Sequence, residues 1–190
     1  MTDDPNTHLG LLIVDLQDSL LNVIPSSKAL LNRCVFALEA AKLLSCHIAI
    51  TEQSPKKLGP THATIQSSLP EYTPVFEKTG FSAFDAEGLG RWIETNQIDH
   101  LLIAGIESPI CIYKTALHAL SDGLGVTLLA DCIGERRIED RQPVFQQLLN
   151  MEAHILPSET IFYSLLGDAQ NPAFKAFTAL VKKHTTKVSV

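Results

Sequence analysis

Residues 101–120, LLIAGIESPICIYKTALHAL, turn from strand to helix within a few positions, and that change decides the fold. Residues 101–104 are a continuous apolar run, the pattern of a strand buried on both faces. Gly105 is expected to end the strand, Ser108 to cap the following helix, and Pro109 to fill its first position. Tyr113, Leu117 and Leu120 then recur at helical spacing. Cys111 falls in the first turn, at the positive end of the helix dipole, where a thiol ionises more easily and the thiolate is the nucleophile. In a parallel sheet, this strand-to-helix turn lies at the carboxyl edge, where ligands bind. The position alone suits a small buried hydrophobe equally well.

The same alternation extends in both directions. Residues 11–14 form a buried-strand run ending in Asp15, and a helix starts at Ser27 with Leu30, Cys34, Leu38 and Ala41 on one face. HIAIT (47–51) is the second strand, and residues 52–73 read as a long irregular loop punctuated by Pro55, Gly59, Pro60 and Pro70. A short extended piece at 75–77 carries Lys78 at its end. Asp85 is expected to cap a helix running through Trp92. After the central unit, 125–130 is a strand ending in Asp131 and Cys132, and Asp140 is expected to cap a helix through Leu148. A short strand at 154–156, a helix from Ser158 and a terminal helix after Pro172 complete the chain. Strands alternating with helices imply right-handed parallel crossovers. The expected architecture is one three-layer α/β/α domain over residues 1–190.

Composition sets the bounds. With 190 residues, 45% hydrophobic and 19% charged, the chain can bury a full core and is too apolar for disorder. A net charge of −6 leaves no electrostatic footprint for nucleic acid or an anionic membrane. No apolar run reaches the length of a membrane span. The opening MTDDPNTHLG is acidic and polar, unlike a secretory signal. Cys34, Cys46, Cys111 and Cys132 lack C-x-x-C spacing and read as reduced thiols in the cytoplasm. ERRIEDR (135–141) reads as a solvated loop and helix start.

Three residues expected at carboxyl ends of strands could do chemistry together: Asp15, Lys78 and Cys111. They supply a proton acceptor, a cation and a nucleophile. Of the four cysteines, only Cys111 combines a helix start with a lysine partner. It is therefore expected to be the one ionised near neutral pH, with Cys34 and Cys46 desolvated and Cys132 opposed by Asp131.

LLIVDLQDSLL, TEQSPKKLGPT, FEKTGFSAF and GIESPICIYKTALHAL, in this order, resemble the isochorismatase-like cysteine hydrolases, most closely the isochorismatase-domain-containing hydrolases. The likeness runs down to LLGDAQNPAFKAF. It implies a Rossmann-like, mainly parallel sheet of six strands and a triad that falls on Asp15, Lys78 and Cys111. It also implies a cis peptide between Ile106 and Glu107, an oxyanion hole from the N–H groups of Glu107 and Cys111, and a homo-oligomer. The implied activity is hydrolysis of a small amide-like C–N carbonyl substrate through an acyl-enzyme. Nicotinamidases of that family hold a metal through an Asp-x-His pair and a further His after the second strand. Here the segment reads TEQSP, with Gln53 and Pro55 near those positions and His62 alone beyond them, so no metal or other cofactor is expected. The isochorismatases proper lack the cysteine, so Cys111 argues against vinyl-ether cleavage. The competing reading is a catalytically silent member of the fold serving as a protein-interaction module.

Overall fold

The computed structural model of the chain describes residues 5–185; the first four and last five residues, including the start of the acidic opening, lie outside the described residues. Six strands form one sheet, paired in parallel throughout in the order β3-β2-β1-β4-β5-β6. They are β1 (Leu9–Val14), β2 (His47–Gln53), β3 (Val75–Lys78), β4 (His100–Ile106), β5 (Gly125–Gly134) and β6 (His154–Leu156). The helices are α1 (Asp18–Leu21), α2 (Ser27–Leu43), α3 (Pro55–Leu58), α4 (Ala63–Gln66), α5 (Leu89–Thr95), α6 (Tyr113–Ser121), α7 (Arg141–Asn150), α8 (Ser158–Leu166) and α9 (Phe174–His184).

The strands alternate between two cores, as their period of two requires. Leu11, Ile13, Leu102 and Ala104 face α2, α8 and α9, where Phe36 meets Phe162 and Phe177 at 6.1 Å. Leu12, Val14, Leu101 and Ile103 face the other layer, with Ile112, Ala116 and Leu148. Both faces of the central strands are covered, which explains their unbroken apolar runs. This is the expected three-layer α/β/α arrangement.

Several local expectations change. The segment after β2 is only partly irregular: the short helices α3 and α4 lie within it, and β2 itself continues to Gln53. Gly105 does not end β4 but sits inside it at φ +122°, where a Cβ would run into the backbone of Val14. Glycine there lets β4 close on β1 one residue before Asp15. Asp85 does not cap α5. It closes a capping box with Ser82 on a short turn before that helix. Asp140 stands at the start of α7 but makes no capping hydrogen bond. Of ERRIEDR, Glu135 is buried and paired with Arg141 at 2.9 Å, because β5 runs on to Gly134 and carries it inside.

Candidate active site

In this strand order the chain leaves β1 for β2 on one side and adds β4 on the other, so the crevice beyond β1 and β4 is the switch point of the sheet. Asp15 directly follows β1, and the turn carrying Cys111 follows β4.

Asp15 is fully buried at φ 56°, a left-handed conformation that aspartate tolerates better than most residues. Its Oδ1 accepts from the Thr51 hydroxyl at 2.7 Å, and its Oδ2 from Lys78 Nζ at 2.7 Å. Lys78 ends an edge strand, yet its side chain is buried and reaches back across β2. Its ammonium also donates to Gln53 Oε1 at 2.7 Å, to the carbonyls of Gly80 at 3.3 Å and Phe81 at 3.5 Å, and to Cys111 Sγ at 3.6 Å. Asp15, Lys78 and Cys111 therefore meet in one cluster.

The turn after β4 holds more residues than an ordinary helical turn. Ile106–Glu107 is a cis peptide, and Ser108–Ile112 is a π-helical turn in which the Ile112 N–H donates to the Glu107 carbonyl at 3.2 Å. Glu107, not Ser108, occupies the cap position; the Ser108 hydroxyl is buried without a hydrogen-bond partner among the described residues. Pro109 lies in the first positions, as expected. Glu107 is itself held by Arg136, whose Nε lies 2.8 Å from its Oε2.

The expectation of a ready thiolate fails. Burial pushes the Cys111 thiol up to about 12, the Asp15 carboxylate adds to that, and Lys78 opposes it without prevailing. Cys111 is only 8% exposed in this turn, and desolvation outweighs the helix start. At neutral pH the resting group is a thiol beside a carboxylate. Cys132, fully buried, is also raised well above an ordinary thiol, first by burial and then by Cys34 and Asp131.

Thr51, Gln53 and Gln17 were not read as parts of the site from the sequence. Gln17 is buried and grips Gln53 twice, accepting from its N–H at 2.7 Å and donating to its carbonyl at 3.0 Å; it also donates to the Gly59 carbonyl at 2.6 Å. The signal was present: TEQ follows the apolar run of β2 just as Asp15 follows that of β1. His62 caps α4 by accepting from the Thr64 N–H at 3.0 Å and makes no contact with the cluster that the hydrogen bonds record. Among the described residues no group of three or more His, Cys, Asp or Glu side chains could hold a metal ion. A cavity of about 430 Å³ opens beside β3, lined by Lys56, Lys57, Glu77, Lys78, Asp85 and Glu87. Neither Asp15 nor Cys111 is on its wall, so it adjoins the cluster through Lys78 alone.

The isochorismatase domain model matches residues 10–160. The isochorismatase domain-containing protein 2 of Xenopus laevis is 31% identical over 172 residues, 90% of this chain and 82% of the relative. Its mouse counterpart 2A is 32% identical over 176 residues, 91% of this chain and 82% of that protein. A solved structure described as the MAR1 ribonuclease of Caenorhabditis elegans has a TM-score of 0.87 at 29% identity, covering 97% of this chain and 95% of that one. With its domain matched over most of its length and relatives this similar along nearly all of it, the chain belongs to the isochorismatase family.

Proposed function

We propose that the protein is a cysteine-dependent hydrolase that cleaves a small amide-like C–N carbonyl substrate, with Asp15, Lys78 and Cys111 as its catalytic residues. The observation that carries this reading is the convergence of the three at the sheet's switch point, with Lys78 Nζ 2.7 Å from Asp15 Oδ2 and 3.6 Å from Cys111 Sγ. Because the resting sulfur is a thiol, proton transfer to Asp15 accompanies attack. A bond forms from Sγ to the carbonyl carbon as the thiol proton passes to Asp15. The N–H groups of Glu107 and Cys111 face the developing oxyanion, a contribution of about 3 kcal/mol per donor in other hydrolases. Asp15 returns the proton to the leaving nitrogen as the C–N bond breaks. Water then attacks the thioester, releasing the acid and restoring the thiol. Lys78 holds the Asp15 carboxyl at 2.7 Å and stabilises the sulfur anion as it forms.

The experiment is mass spectrometry of the protein with a panel of small amides and ureas, read together with turnover. An acyl adduct on Cys111 and release of amine or ammonia are expected. An RNA oligonucleotide belongs in the panel as the contrary case, because the C. elegans relative is described as a ribonuclease. A net charge of −6 weighs against phosphate-backbone binding by this chain. RNA cleavage without any Cys111 adduct would overturn the amidase reading.

A further inference from the structure

We infer that Gln53 is a positioning residue for the Lys78 ammonium: its neutral amide oxygen binds the cation and leaves one N–H for Cys111. The inference rests on the catalytic reading of Lys78 and Cys111 given above.

The geometry leaves Gln53 little freedom. Its Nε2 donates to the Thr79 carbonyl at 2.8 Å, so its Oε1 is the atom turned to Lys78, and an ammonium can only donate. Its backbone is clamped on both sides by Gln17, through the 2.7 Å and 3.0 Å bonds. Two of the three ammonium protons are thus taken by short bonds, to Asp15 Oδ2 and to Gln53 Oε1, each 2.7 Å. The third is left for the side where Gly80 O at 3.3 Å, Phe81 O at 3.5 Å and Cys111 Sγ at 3.6 Å lie. As the sulfur becomes an anion, it is the acceptor there that gains most.

The chemistry requires that this acceptor be neutral. A second carboxylate in the place of Gln53 would bind the ammonium as well. It would also oppose ionisation of the thiol, as Asp15 already does. An amide oxygen gives the hydrogen bond without the charge. The other ionisable groups around the cluster are turned elsewhere. Glu52 on β2 accepts from the Thr61 N–H and hydroxyl, Asp85 from the Ser82 N–H, and Glu77 on β3 is exposed. From α6, His118 Nδ1 lies 3.3 Å from the Ser82 hydroxyl. Asp15 and Lys78 are the charges that act on the Cys111 thiol.

The test is the rate of Cys111 alkylation by iodoacetamide, mapped by peptide mass between pH 7 and 10, in wild type, Gln53→Met and Gln53→Glu. Wild type should label slowly at pH 7 and faster at each step. Gln53→Glu should label roughly tenfold more slowly near neutral pH, from the added negative charge. Gln53→Met should label severalfold more slowly than wild type yet faster than Gln53→Glu, because the ammonium is no longer turned towards the sulfur but no negative charge is added. Both variants following the wild-type curve, or both slowed by one common factor at every pH as loosened packing would do, overturns the inference. Lys78→Met and Asp15→Asn keep the two claims apart. If either changes the labelling while the Gln53 variants do not, the triad stands and Gln53 has no such role. If neither does, the catalytic reading itself has failed.

Discussion

Two places in this molecule combine an aspartate, a cation and a cysteine, and they are not alike. At the switch point, Asp15 and Lys78 are completely buried, with Cys111 in the turn beside them. On the other face of the sheet, Arg33 Nε lies 2.7 Å from Asp131 Oδ2, with side chains 23% and 28% exposed, and Cys132 Sγ lies 3.8 Å from Asp131 Oδ1. There Ser158 completes the group: its N–H donates to Oδ1 at 2.7 Å, its hydroxyl donates to Oδ2 at 2.8 Å, and it accepts from Arg33 at 2.8 Å. Asp131 thereby joins β5 to α2 and α8. Its cysteine is sealed in mid-strand, whereas Cys111 stands where the chain turns out of the sheet. The residue types are shared. What separates a candidate site from a structural knot is where the sulfur sits.

The largest expected effect tests that separation directly. Asp15→Asn, Lys78→Ala and Cys111→Ala should each lower kcat by at least about a thousandfold, and pairs of them should lose little more, as groups acting in one step do. Cys132→Ala should leave kcat within about twofold. Steady-state rates on any substrate found in the amide panel check this. A large loss in Cys132→Ala alone would move the chemistry to the other face.

Stability should rank the two groups in the reverse order. Removing both charges of a buried pair is often neutral or favourable, so Asp15→Asn with Lys78→Met should lie within about 1 kcal/mol of wild type or above it. Asp131→Ala removes the acceptor for four donors, the Cys132 thiol among them, and should cost about 2–3 kcal/mol by urea denaturation, the lower end reflecting its partial exposure. Burial raises the Asp131 carboxyl, but the Ser158 and Arg33 contacts together hold it below its ordinary value. A depressed folded value means that its stabilisation is present above about pH 4 and is lost as pH falls below that. The wild-type stability should therefore drop more steeply below pH 4 than that of Asp131→Ala. Parallel acid limbs would show that Asp131 is not the knot described.

How much of this could be read in advance follows from what the physics makes local. The unbroken apolar runs at 11–14 and 101–104, and the helical period from Ser27, carry the strands, their two-sided burial and the layering, because those patterns depend on nearest neighbours. Asp15, Lys78 and Cys111 were found by one rule, that polar residues at carboxyl ends of strands face ligands. The same rule applied to TEQ would have found Thr51 and Gln53. The state of the Cys111 thiol was misread because it depends on burial by residues distant in the chain, which no local pattern reports. Ser108 looked like a cap because a standard helix was assumed; the π-turn moves that place to Glu107. Glu135 looked solvated because β5 was ended too early.

The smallest effect is an expected absence of change. In the nicotinamidase arrangement, the loop after the second strand carries metal ligands; here Gln53 and Pro55 stand near those positions. The Gln53 oxygen is already bonded to Lys78 at 2.7 Å and its nitrogen to the Thr79 carbonyl at 2.8 Å, so neither is free to ligate. Pro55 opens α3 and offers no side-chain donor at all. His62 spends its Nδ1 on the cap of α4, and its Nε2 lies 3.6 Å from Asp18, a pair on the surface away from the sulfur. One imidazole and one carboxylate fall short of the three protein ligands that a catalytic zinc site uses. Turnover should thus stay within about twofold after exhaustive chelation and should not rise when zinc, manganese or iron is added back. Loss of activity on chelation, restored in proportion to one metal ion per chain, would mean that the loop rearranges to bind it. The contrast between the two faces would then have to be redrawn around that ion.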